Sequence, residues 1–185
     1  KDAAVLSPRV SSRGQCPQKK WASSSVPLLS STIRLLERSM SGVCPAADPE
    51  AVFAPLFHSV TVPEISPSAY LEGWLLTMGL LHKEHLLEPM LLHMIIYIDR
   101  LLKRHAVYGF HLCASNAHRL LLVSAVLSSK VVDDESYNSR YWASVGGVSA
   151  IHLTELELYA CRALGWELFI SIEELRSTKA TLLSM

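Results

Sequence analysis

From Ser66 onward, apolar residues recur three and four positions apart in block after block of the chain, and no run alternates convincingly with period two. That spacing belongs to amphipathic helices rather than to half-buried strands. Strand–helix–strand spacing is absent as well, so the pattern predicts an all-α fold. Helical periodicity begins at "VPLLSSTIRLLERSM", where Leu29, Ile33 and Leu36 share a face and Pro27 stands near the start; "SGVCPAADPE" then breaks it. "SPSAYLEGWLLTMGLL" opens with Ser66 as an N-cap and Pro67 at the first helical position. "EHLLEPMLLHMIIYIDRLLKR" closes on Lys103 and Arg104, which suit the negative end of a helix dipole. "NAHRLLLVSAVLSSKVV", a shorter "SRYWASV" and "AIHLTELELYACRAL" follow, the last capped by Ser149 and ended by Gly165. "IEELRSTKATLL" finishes the chain. The expected architecture is about five helices in one bundle, with one more on each side.

Two of these segments carry more information than their length. Leu120 to Val123 and Ala125 to Leu127 cover every side of their helix. A helix apolar all round is buried all round, so this one is central. Lys130 lies on the stripe of Val123 and Val126 and emerges where the helix ends. In "AIHLTELELYACRAL", steps of about 100° per residue gather Leu153, Leu156, Ala160 and Leu164 on one face. Glu157 falls within that arc, between Leu153, Ala160 and Cys161. A carboxylate on an apolar stripe needs a partner, inside the protein or on another one. Arg119 is the internal base to weigh.

Bulk composition narrows the classes. The 185 residues suit one domain with room for a tail, large enough to bury a core without staples. Seventeen basic and seventeen acidic residues cancel, which argues against a nucleic-acid footprint. The longest apolar runs, "MLLHMIIYI" and "LLLVSAVL", fall far short of the ~20 residues of a spanning helix, so no membrane is expected. Cys16, Cys44, Cys113 and Cys161 lack metal or redox spacing and are expected as reduced thiols of an intracellular protein, nuclear or cytoplasmic. Residues 1–25, rich in Ser, Pro, Lys and Arg, are expected to form a loosely attached tail.

Candidate chemistry is thin. His82 and His85 sit at helical spacing, yet two imidazoles are not a zinc site. Cys113, flanked by His111 and His118, lacks an orienting acid and reads as a small buried residue ahead of an Asn116 or Ser115 cap. Asp133, Asp134 and Glu135 lack the alternating ligands of a calcium loop, and Gly146-Gly147 lacks the lysine of a phosphate loop.

A resemblance supplies what the spacing does not. "SSKVVDDE" together with Glu157, nine residues before Trp166, resembles the cyclin box. "VPEISPSAYLEGWL", "YIDRLL", "NAHRLLLVSAVLSSKVVDDESYNSRYWASVGGVS" and "LELYACRALGWEL" together look like the phosphate-response (P/U-type) cyclins. Ser139 and Ser144 depart from that pattern, standing where asparagine and lysine are common. The domain reading becomes a tail over 1–25, an N-terminal helix and linker over 26–55, and a cyclin box with a C-terminal extension over 56–185.

The resemblance implies a regulatory subunit and not an enzyme. It implies binding to a cyclin-dependent protein kinase beside that kinase's C-helix, and activation of it, with no cofactor and no small-molecule substrate. Lys130 and Glu157 would grip the kinase, with Val131, Leu153 and Cys161 around them, and the α-helical face carrying Glu157 would be interface instead of core. The competing readings are a cyclin-fold scaffold that activates nothing and a small helical metalloprotein using His82 and His85.

Overall fold

The computed structural model describes residues 26–40, 54–80 and 83–185, and among them every regular element is helical. In chain order these are α1 (Val26–Ser39), α2 (Ala54–Phe57), α3 (Pro67–Thr77), α4 (Glu84–His105), a 3-10 turn (Ala106–Tyr108), α5 (Ala117–Val132), α6 (Ser139–Gly146), α7 (Ala150–Ala163) and α8 (Ile172–Leu183). The expectations for residues 1–25 and for His82 lie outside the described residues.

Hydroxyl and amide caps start the helices as the sequence indicates. Ser66 accepts from the Ala69 N–H with Pro67 behind it, and Ser149 accepts from the His152 N–H. Asn138 does the same for α6 and Ser171 for α8. Asn116 differs. It stands at the start of α5, but its side chain accepts from the Cys113 N–H and donates to the His111 carbonyl, tying down the preceding loop. The thiol expectation divides too: Cys161 is free, whereas Cys113 is disulfide-bonded.

α5 is the hub. It packs against α3, α4, α6 and α7, and every residue from Leu120 to Ser129 is buried. Ser128 survives there because its hydroxyl donates to the Ser124 carbonyl at 2.6 Å. α1 lies outside this set, against α3, α4 and α8, with Leu28, Leu29 and Leu36 in the core. The α6–α7 corner depends on two glycines for different reasons. Gly147 takes a left-handed φ of 70° to close α6. Gly146 has Leu122 so close that a Cβ would lie 2.6 Å from its methyls, and its carbonyl accepts from Tyr70 Oη at 2.8 Å. The acidic and aromatic segment 133–145 is therefore a structural corner joining α5, α6 and α7.

Candidate functional site

Lys130 and Glu157 meet. The last turn of α5 delivers Lys130, and the middle of α7 delivers Glu157 opposite it, forming an ion pair between Nζ and Oε1. Ser139, the first residue of α6, reaches the other carboxylate oxygen, its hydroxyl donating to Oε2 at 3.4 Å. Three helices thus converge on one carboxylate. Arg119 takes no part, since its guanidinium donates to the carbonyls of Leu56 and His58 at 2.7 Å each.

Exposure divides the pair. The Lys130 side chain keeps 41% of its surface open while Glu157 keeps 13%. The ammonium is therefore available to a partner directly, and the carboxylate only along one edge. Held on two sides, Glu157 is pre-oriented, which lowers the ordering cost of any contact it later makes.

The apolar surroundings require corrections. Leu153 is fully buried, as are Leu156, Ala160 and Leu164. That stripe of α7 is core against α5, because an apolar face large enough to close the bundle is used for closing it. Leu153 consequently supports the pair from beneath and presents nothing to a partner, and the face is not interface in place of core. Glu157 sits at the edge of the stripe. Cys161, one turn further, is nearly covered at 9% exposure. Burial pushes its thiol above the usual range, the Glu157 carboxylate adds to this and Lys130 opposes it, so the sulfur is a protonated packing group at neutral pH. Val131, by contrast, is half exposed at 49% beside Lys130.

Other exposed residues escaped the sequence reading. Ile151 and Leu158 are open to solvent on α7, seven positions apart and so on one outer stripe. Their spacing was the available signal. Past the end of α7, Trp166 exposes 63% of its surface and Phe169 83%. Trp166 is the one non-glycine among the described residues with a left-handed backbone, at φ 62°. Such a conformation costs a bulky residue about 1–2 kcal/mol. Two bonds close the helix there, from the Gly165 N–H to the Arg162 carbonyl and from the Trp166 N–H to the Cys161 carbonyl.

Among the described residues no three His, Cys, Asp or Glu side chains gather as a metal site. No described helix is long and apolar enough to cross a membrane.

The geometry and the sequence converge on one class: an all-α bundle built round the buried α5, with a Lys–Glu pair between that helix and α7. The family model for "Cyclin" matches residues 28–168, and the chain belongs to the cyclin family. It is 33% identical over 116 residues to Cyclin-U4-3 of Arabidopsis thaliana, covering 63% of this chain and 49% of that one. Cyclin-U1-1 of the same plant is 33% identical over 122 residues, covering 65% and 54%. Cyclin-P4-1 of Oryza sativa subsp. japonica is 33% identical over 109 residues, covering 59% and 48%. The chain thus spans about half the length of these curated relatives, and its resemblance to U- and P-type cyclins holds. Cyclins as a family are non-catalytic regulatory subunits.

Proposed function

We propose that this chain binds and activates an intracellular cyclin-dependent protein kinase, docking beside the kinase's C-helix through the ends of α5 and α7. The observation that carries the reading is the Lys130–Glu157 pair, pre-formed at the rim of the core and flanked by exposed apolar side chains. Val131 stands next to Lys130, while Ile151 and Leu158 lie on the outer side of the helix that holds Glu157. An apolar ring around a charged pair excludes water on binding and strengthens the polar contacts it encloses.

The consequence for the kinase is mechanical. A rigid bundle pressed against the C-helix holds it inward, where its glutamate pairs with the strand lysine that grips the ATP phosphates. The cyclin contributes no group to phosphoryl transfer. It shifts the population of one kinase conformation by binding that conformation better.

Co-purification with candidate cyclin-dependent kinases, comparing the wild type with the Lys130→Ala/Glu157→Ala variant, tests this. The expected result is a kinase that is retained and stimulated by the wild type and lost with the variant. Retention without stimulation would leave a scaffold in place of an activator. No retention by the wild type would remove the proposal.

A further inference from the structure

The "YIDRLL" block of α4 plays no part in the Lys130–Glu157 pair; its Asp99 pairs with Lys103 on the same helix, while its Tyr97 and Arg100 turn to one place. Tyr97 Oη donates to the Leu168 carbonyl at 2.8 Å, although the ring itself is fully buried. Arg100 donates through Nη1 to the carbonyls of Glu167 at 2.9 Å and Phe169 at 3.1 Å. Its Nη2 reaches Glu174 at 2.8 Å, at the start of α8. One turn on, Arg104 pairs with the Glu167 carboxylate. Three consecutive backbone carbonyls, those of residues 167, 168 and 169, are thereby fastened to α4. The connector held in this way exposes Trp166 and Phe169.

We propose that Tyr97 and Arg100 are positioning residues for kinase binding: they clamp the α7–α8 connector so that Trp166 and Phe169 extend the docking surface beyond the Lys130–Glu157 pair. This rests on the kinase-binding reading above. Distance supports it, since Trp166 lies nine residues past Glu157, about 13 Å along the chain at helical rise. A patch of about 800 Å² per partner is roughly 30 Å across, wide enough to span both. Cys161 joins the two parts. It follows Glu157 by one turn of α7, and its carbonyl accepts from the Trp166 N–H at 2.8 Å. Burial pushes the Tyr97 phenol up to about 12, which keeps it a hydrogen-bond donor throughout the physiological range. An apolar surface left on a mobile loop would lose much of its affinity to ordering on binding; a loop ordered in advance does not.

The experiment is a double-mutant cycle on kinase affinity, using Arg100→Gln and Trp166→Ala singly and together, with Tyr97→Phe as the variant that removes one hydroxyl only. Arg100→Gln and Trp166→Ala are each expected to weaken binding about tenfold, and the double variant no more than about twofold beyond Trp166→Ala. Hydrogen exchange of the unbound protein is expected to rise over residues 165–171 in Arg100→Gln and Tyr97→Phe, with α5 amides unchanged. Additive losses, or a Trp166→Ala variant that binds like the wild type, would overturn the clamp while leaving the kinase reading intact. Failure of the wild type itself to bind any kinase would overturn both.

Discussion

α5 and α7 are built from similar residues and do opposite work. Both are rich in Leu and Ala, and both contribute a charged residue to the same ion pair. Yet α5 is enclosed from Leu120 to Ser129 and meets solvent only towards its two ends, whereas α7 buries one stripe and exposes Ile151, Leu158 and the flank of Glu157. The difference separates stability from recognition. A change in α5 acts on the fold first; a change on the outer side of α7 acts first on whatever the fold presents.

The largest effect that would sharpen this contrast is on stability. Leu121→Ala empties a fully buried site in the hub and is expected to cost about 2–5 kcal/mol, read by urea unfolding. Leu158→Ala, on the exposed side of α7, is expected to stay within about 0.5 kcal/mol of the wild type in the same assay. Comparable losses at both positions would break the division.

Gly146→Ala comes next. The added Cβ meets the Leu122 methyls at 2.6 Å, and Leu122 is itself locked in the core. Overpacking of this kind costs about 1–3 kcal/mol, and a thermal melt unchanged from the wild type would show that the corner is looser than its geometry. Kinase affinity separates the regions in the other direction. Lys130→Ala removes the exposed ammonium offered to the kinase and is expected to cost roughly 2–5 kcal/mol of binding; because it also leaves the nearly enclosed Glu157 carboxylate without its cation, it is expected to cost about 1–3 kcal/mol of stability.

The smallest effect is that of pH. His118, His58 and His152 all have pKa values lowered below the usual 6.5, in each case chiefly by burial. For His118 a hydrogen bond to the Ile65 carbonyl works the other way. A histidine kept neutral in the fold binds its proton more readily when unfolded. Stability is therefore complete above about pH 6.5 and declines as pH falls below that value toward the folded pKa. Urea midpoints at pH 7.5 and 5.5 check the sign, and a higher midpoint at the lower pH would contradict it.

Much of this was legible in the chain. The all-round apolar cover of Leu120–Leu127 marked the hub because no amphipathic alternative exists for such a segment. Ser66, Ser149 and Gly165 marked helix ends through local hydrogen bonds that neighbours alone decide. Leu153 was misjudged because an apolar stripe reveals that something covers it and not whether that cover is α5 or another protein. The connector was missed for a related reason: Arg100 and the carbonyls of Glu167 and Phe169 are far apart in sequence, and backbone acceptors leave no residue-type signature. The α2 turn is too short for periodicity to register.

The measurement that bears most directly on the central claim is stimulation of a cyclin-dependent kinase by increasing amounts of this chain and of its charge-swapped form, Lys130→Glu/Glu157→Lys. The swap keeps opposite charges facing each other between α5 and α7, so folding, followed by circular dichroism, is expected to persist. The account predicts saturable stimulation by the wild type and none by the folded swap. Equal stimulation by both would place the docking surface elsewhere, and a kinase indifferent to the wild type would contradict the account outright.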